Sequence, residues 1–433
     1  MPDDPRWPMS AGCRTTRDAR ITGTMSLPRT APLLDATERR ARIAIRHRLA
    51  PSVRATTPED AADTLVGLHG TDPTSVYLQA RARVDNLTFG QLEDALYERR
   101  TLLKILGMRR TMFVVTHSVA ATVDAATTRA IGARERRRLI EMLRQAGIGG
   151  ADPEAWLNAV EAETVAVLDE LGEATAADLT KRVLGLREQI TFGAGKRWQG
   201  QVGVSTRLLF LLSCEGRLIR GRPKGTWVSS LYRWAPMDRW IRGGLPPVPK
   251  GDAQRDLVRR WLRSFGPGTE RDLAWWTGLT LGEVRRAIAT LGADIGGGVP
   301  AADVRLDDGS VGLALADDLE PTPDPGPWIA LVPALDATTM GWTDRRFFLG
   351  DHGPRLFDRN GNAGPMVLVD GRVVGGWAQR PDGHVVTSLF ENPGAEPTRA
   401  IDAEAAAIEA WLGRSRVIPR FRTPLEVELA TRT

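Results

Sequence analysis

One short pattern occurs twice in this chain and constrains its architecture more than any other feature. Gly172-Glu173-Ala174-Thr175-Ala176-Ala177-Asp178-Leu179 recurs as Gly266-Pro267-Gly268-Thr269-Glu270-Arg271-Asp272-Leu273, and Thr56-Thr57-Pro58-Glu59-Asp60-Ala61 is a shorter copy. In each, a threonine stands where a helix N-cap accepts a backbone N–H, and an aspartate three residues later reaches back, a short-armed capping box. Helical segments at 35–49, 164–171 and 256–264 precede the copies. Helix, tight turn and capped helix open a helix-turn-helix unit, so three such starts predict three related modules.

The segments downstream of each start agree with three modules. Residues 205–215 read as an apolar-periodic helix, and Arg217-Leu218-Ile219-Arg220-Gly221-Arg222-Pro223-Lys224-Gly225-Thr226-Trp227-Val228 as two short strands around a basic turn. That is the wing of a winged helix, with Arg220, Arg222 and Lys224 facing phosphate. The third copy leads into a helix at 281–291 and strand-like pieces at 304–306 and 311–313. In the first, Arg109 and Arg110 run into a strand, Met112-Phe113-Val114-Val115. After a proline-rich acidic linker at 317–327 the pattern changes to short apolar runs at 328–332, 346–349, 365–369, 372–377 and 384–390. Val369-Asp370-Gly371-Arg372 reads as an Asp-Gly hairpin. The expected fold class is α+β: winged-helix modules at 35–150, 151–245 and 252–316, then a small β-barrel at 327–425 closed by a helix at 400–412. Residues 1–34 are expected to be a disordered extension, with Met25 an alternative start.

A net charge of +5 and a pI near 9.6 favour an anionic partner; the winged-helix reading makes that partner double-stranded DNA, and three unequal modules in one chain fit a monomer around one site. Lysine occurs only at positions 104, 181, 196, 224 and 250. Without an apolar run of 18 residues, no membrane span is expected. Residues 1–34 lack a secretory apolar core, and the two cysteines, Cys13 and Cys214, have no ligand spacing, which together point to a reducing cytoplasm. His117, His352 and His384 show no metal spacing and no glycine-rich phosphate loop occurs, so neither metal nor nucleotide cofactor is expected. Lys196-Arg197-Trp198-Gln199 suits a nucleic-acid backbone or a plain loop, and Arg134-Glu135-Arg136-Arg137-Arg138 suits a solvated helix face.

The chemistry-bearing stretch is Leu68-His69-Gly70-Thr71-Asp72-Pro73, which gathers an imidazole, a hydroxyl and a carboxylate at a helix-to-helix junction. A bland account is open for it: Gly70 ends a helix spanning 58–68, and Asp72 caps another before Pro73.

With Gly67-Leu68 and Asp72-Pro73, Tyr77-Leu78, Ala82-Arg83, Met108-Arg109-Arg110-Thr111, Pro333-Ala334-Leu335-Asp336, Gly341-Trp342-Thr343-Asp344-Arg345 and Val367–Arg372, the chain resembles the AlkZ-like winged-helix DNA glycosylases, which include the AlkX (YcaQ) branch. The resemblance covers residues 35–425. It implies removal of alkylated purines, including bulky N7 adducts and interstrand crosslinks. That family carries Gln-x-Gln or Gln-x-Asp where this chain has His69 and Thr71, and Phe113 stands where a polar side chain is expected on the adjacent strand. An N7-alkylated guanine is already a good leaving group. Its release needs water placed at C1′ and negative or dipolar groups facing an oxocarbenium-like sugar. His69 suits orienting or deprotonating that water, Thr71 holding it, and Asp72 stabilising the sugar. Scarce lysines disfavour a Schiff-base lyase, leaving monofunctional base excision, with Lys104 the one lysine that could fold nearby. Arg109, Arg110, Lys196 and Arg197 join the wing cations as expected DNA contacts. The alternative is a non-catalytic winged-helix DNA-binding protein.

Overall fold

Each threonine singled out by the repeat caps a helix in the computed structural model, which describes residues 31–192, 199–293 and 298–431. Thr57 accepts from Asp60 N. Thr175 with Asp178 and Thr269 with Asp272 form complete capping boxes. Such a cap contributes about 1 kcal/mol to its helix.

The chain then runs through α1 (Ala36–Arg46), α2 (Pro58–Thr64), β1 (Leu68–His69), α3 (Pro73–Arg81) and α4 (Phe89–Glu93). Strands β2 (Leu102–Leu106) and β3 (Met112–Thr116) come next, joined through a tight turn, Met108–Arg110, and then α5 (His117–Val123). The three strands form one antiparallel sheet in the order β1-β3-β2. Helix α2 ends at Thr64, earlier than the sequence suggests, because Val66 and Gly67 both take positive φ. His69 is therefore a strand residue and not a helix stop. A Cβ on Gly67, at φ +140°, would stand 2.7 Å from Val115 Cγ1, so the turn into β1 needs glycine.

The described residues of Arg129–Lys224 and Leu231–Gly244 form one compact unit; the described residues up to Thr128, of Gly225–Ser230 and from Leu245 onward form the other, larger one. The smaller unit holds α6 (Arg129–Gln145), α7 (Pro153–Leu171), β4 (Ala174–Thr175), α8 (Ala176–Arg182), β5 (Gln189–Phe192), β6 (Gly200–Gly203), α9 (Val204–Cys214), β7 (Leu218–Pro223), β8 (Tyr232–Pro236) and the turn α10 (Met237–Trp240). Its sheet order, β4-β8-β7, repeats that of β1-β3-β2, with the β5–β6 hairpin inserted. Leu157, Leu179, Leu208, Leu212 and Trp234 are among its core. The second strand of the basic hairpin is Tyr232–Pro236, not residues 226–228. Trp227 belongs to the larger unit instead. It packs there against Tyr77 and Phe89, with ring centroids 4.8 and 5.0 Å away, which shields its apolar surface. Nor is the arginine run on α6 wholly solvated, since Arg136 pairs with Glu161 and Glu215.

The larger unit continues with α11 (Lys250–Phe265), α12 (Glu270–Thr277), α13 (Leu281–Ala289), β9 (Ala301–Arg305) and β10 (Val311–Leu315). Gly268 bridges Leu313, adding a third edge to the β9–β10 pair. Next come β11 (Ile329–Val332), the single turns α14 (Arg346–Leu349) and α15 (Gly353–Leu356), β12 (Met366–Val369), β13 (Arg372–Gln379), β14 (Val385–Leu389), α16 (Ala395–Leu412) and α17 (Pro424–Thr431). The expected barrel is absent: the strands form an open antiparallel sheet, β11-β12-β13-β14. Helices make closure unnecessary. Ile401, Ala405, Ile408 and Leu412 of α16 pack on Leu331, Val367, Val374 and Trp377, while Leu425 and Leu356 close on Gly376. Strands β12 and β13 are thus buried on both faces, which their continuous apolar sequence requires. The run at 346–349 is a helical turn and not a strand. Asp370 and Gly371 both take positive φ in the two-residue β12–β13 turn, as an Asp-Gly hairpin demands.

Candidate active site

The register of the β1-β3-β2 sheet decides which side chains share a face. His69 pairs with Phe113 and Phe113 with Ile105, while Leu68, Val114 and Lys104 form the next row. Successive residues on a strand point to opposite faces. Lys104 therefore points away from the His69 face.

On that face His69 is 7% exposed. Its ring lies 5.3 Å from that of Phe113, and with Arg109, Thr111, Trp276, Ala337 and Met340 these residues line a narrow cleft. Burial, and then the nearby Arg109 guanidinium, push the His69 imidazole down to about 3. It is neutral throughout the physiological range. Among the described residues its Nδ1 has no hydrogen-bond partner, although a buried polar atom ordinarily finds one.

The backbone beneath this ring is held firmly. Gln79, wholly buried on α3, donates from Nε2 to His69 O at 2.9 Å and Ser75 O at 3.1 Å. Its Oε1 accepts from His69 N at 3.2 Å and Ala337 N at 3.1 Å. One turn along the chain, Arg83 makes a bidentate pair with Asp336 at 2.7 and 2.8 Å, both side chains 0% exposed. Asp336 Oδ1 also accepts from Thr338 N. Loop 333–340 is thereby fixed against α3, and it supplies Ala337 and Met340 to the cleft.

The other residues chosen from the sequence divide sharply. Asp72 caps α3: its Oδ1 accepts from Thr74 N and Thr74 Oγ1 at 2.9 and 2.8 Å, and its Oδ2 from Arg420 N at 2.9 Å. Both oxygens are engaged, as the capping account expects. Thr71 Oγ1 is an acceptor for Met112 N at 3.4 Å, beside the cleft. Arg109 lines the cleft, whereas Arg110 is exposed. Arg220, Arg222 and Lys224 belong to the smaller unit, on and just after β7, with the Arg220 guanidinium over the rings of Tyr232 and Trp234. Lys196 and Arg197 lie outside the described residues.

Sequence reasoning misses two members of this neighbourhood, Trp275 and Arg345. The Arg109 guanidinium lies 4.0 Å over the Trp275 ring and that of Arg345 5.1 Å from it, and Arg345 also faces Phe357 at 4.9 Å. Burial lowers each guanidinium to about 10, and Arg109 further lowers Arg345. Arg109 keeps its place with a left-handed backbone, φ 55° and ψ 24°, against Gly278 at the end of α12. The Trp275-Trp276 doublet directly behind a capping box is the visible signal.

Among curated proteins none matches. The chain resembles the solved structure of Streptomyces sahachiroi DNA glycosylase AlkZ, with a TM-score of 0.65 and 19% identity over 88% of this chain and 97% of that one. The model of the family described as DNA glycosylase AlkZ-like matches residues 62–411. The match takes in His69, Gln79, Arg109, Trp275 and Arg345 alike, and the chain belongs to the AlkZ-like DNA glycosylase family.

Proposed function

We propose that the chain hydrolyses the N-glycosidic bond of alkylated purines in duplex DNA, N7-alkylguanine and its bulky or crosslinked forms, as a monofunctional glycosylase. The observation that carries this is the unpartnered Nδ1 of a neutral, buried His69 opening on a cleft. Such a ring accepts a hydrogen bond from water without first losing a proton. With an N7-alkylated base the leaving group is already cationic, so the residues need only place and polarise water at C1′. His69 takes that role and Thr71 lends its hydroxyl. Asp72 acts through the loop it caps. Lys104, on the other face of the sheet, is not placed to form a Schiff base.

The helix–strand–helix–helix–strand–strand order with sheets β1-β3-β2 and β4-β8-β7, and the weaker copy around β9–β10, supports reading the three segments as winged-helix modules. In that reading Arg220, Arg222 and Lys224 meet backbone phosphate, together with Arg110. The protein acts as a monomer in the cytoplasm, where its DNA substrate lies. Among the described residues no helix is long and apolar enough to cross a membrane.

The test is base release from duplexes carrying N7-methylguanine, a bulky N7 adduct or an N7-linked crosslink, for the wild type and His69→Ala. Release that collapses in the variant supports the reading. Tight binding with no release on any of these substrates leaves a DNA-binding protein, consistent with a carboxylate at position 72 that is wholly occupied by its cap and by Arg420 N.

A further inference from the structure

The guanidiniums of Arg109 and Arg345 lie 4.0 and 5.1 Å from the ring of one tryptophan, Trp275, and among the described residues neither makes an ion pair. Arg109 makes no ion pair or hydrogen bond there beyond its contact with Trp275, and Nε of Arg345 is buried without a partner. The acids nearest Arg345 are already engaged. Asp272 gives Oδ2 to the Thr269 cap and Oδ1 to Thr343 N and Oγ1 at 2.8 and 2.6 Å. Asp344 is bound by Arg346. The fold therefore holds two like charges around one ring, where each raises the cost of the other.

The surroundings open outward from this pair. Arg345 lines a solvent-open cavity of about 810 Å³ together with Arg271, Arg346, Arg359 and Phe357. Arg109 lines the narrow cleft that holds His69. Trp275 thus carries against its ring one guanidinium from the lining of the cavity, where Asp344 and Asp358 also stand, and one from the lining of the His69 cleft.

We propose that Arg109 and Arg345 together grip one phosphodiester of the DNA backbone, on the far side of Trp275, and so fix the register of the nucleotide whose sugar faces His69. This rests on the glycosylase reading for the sugar and on the two unpaired guanidiniums for the phosphate. Planar guanidiniums suit an anion with several oxygens, and these two approach the same ring closely enough that Arg109 lowers Arg345. A bound phosphate also neutralises the cation that would otherwise stand beside a sugar gaining positive charge. Arg271 and Arg359, which line the same cavity, would extend the track along the strand.

The experiment is binding of an undamaged labelled duplex by the full chain across a series of salt concentrations, for wild type, Arg109→Gln, Arg345→Gln and the double variant. Each phosphate neutralised contributes about 0.9 to the slope of log K against log salt. A shared phosphate predicts that each single variant weakens binding, and that the double variant loses about 1 in slope in total. A loss near 2 means two separate phosphates and overturns the proposal, as does an unchanged slope. Arg109→Lys and Arg345→Lys guard against misfolding: they keep the charge, so the slope stays while affinity falls. Equal affinity for the lysine variants and wild type also counts against a guanidinium grip. Base release is scored on the same preparations. Slopes that behave as predicted in a protein releasing no base leave the phosphate site standing and remove the glycosylase reading, and the converse result removes only the phosphate site.

Discussion

Gln79 brackets the backbone of His69, accepting from its N–H at 3.2 Å and donating to its carbonyl at 2.9 Å, so that a helix side chain takes the place of a neighbouring strand. The same amide reaches Ala337 N, which ties the His69 strand to a loop 258 residues away from Gln79 in sequence. All four hydrogen-bonding positions of the amide are occupied, and no other residue type of that size offers both donors and acceptors in this shape.

Replacing Gln79 by leucine should therefore slow base release more than it weakens DNA binding. We expect a fall in rate of about 10-fold or more, on the order of what misplacing a catalytic group costs, with duplex affinity within about 2-fold of wild type. Single-turnover release and equilibrium binding on the same duplex check this. A parallel loss of both would mean that the amide supports the fold alone.

His69→Ala should lower release by about 10²–10⁴-fold, the usual contribution of a positioned base. His69→Gln, which restores an amide able to hold water, should retain more activity than alanine. Equal rates for the wild type and both variants would remove His69 from the chemistry.

Acid should act through two histidines. Burial holds His47 and His69 near 3, against 6.5 for the free side chain, with Arg83 adding to the effect on His47 and Arg109 to that on His69. The folded chain thus binds fewer protons than the unfolded chain between pH 6.5 and 3. Stability is unaffected by these groups above pH 6.5 and falls as pH drops through that window, by about 1.4 kcal/mol per pH unit for each ring. In His69→Gln the dependence from that ring disappears, and denaturant midpoints at about pH 7.5, 6 and 5 for variant and wild type read the difference. Base release itself should show no His69 titration between about pH 5 and 9.

The Arg83–Asp336 pair has no exposed surface on either side. Asp336→Leu strands a buried guanidinium and should cost about 3–5 kcal/mol in chemical denaturation. Arg83→Met with Asp336→Leu should recover much of that loss. Additive losses in the double variant would show that the two side chains are not coupled.

Asp72 offers a clean separation of cap from catalyst. Asp72→Ser keeps an N-cap acceptor, whereas Asp72→Ala costs about 1–2 kcal/mol of stability. If the carboxylate acts only by fixing the loop, the serine variant releases base at a rate within a few-fold of wild type. A loss of about 100-fold in a folded serine variant would give the carboxylate a direct part in stabilising the sugar.

Legibility in the sequence follows locality. Capping by Thr57, Thr175 and Thr269 and the Asp370-Gly371 hairpin are each decided within about four residues, and each is readable. The His69 strand is not, because its partner β3 lies more than forty positions on and α2 is cut short by the φ values of Val66 and Gly67. Thr71 and Asp72 stand out as polar residues, but only the fold shows that Asp72 commits both oxygens to Thr74 and Arg420. Gln79 is visible only as one amide among the mixed side chains of α3, with nothing in its spacing to mark it. Arg345 lies inside a segment that carries the family resemblance, with nothing in its spacing to bring it to Trp275. The open C-terminal sheet escapes a reading by pattern, because continuous apolar strands signal burial on both faces and do not say whether a helix or another strand covers them.

The hydrogen bond from Arg420 N to Asp72 joins positions 348 residues apart. Translation proceeds at about 5–20 residues per second, so the ribosome needs tens of seconds after making the histidine loop to make the residue that latches it. A nascent chain carrying only its first modules has the imidazole but not the framework that orients it. The Asp72 latch closes only once position 420 has been made, and a message truncated before that codon yields a loop held at one carboxylate oxygen alone.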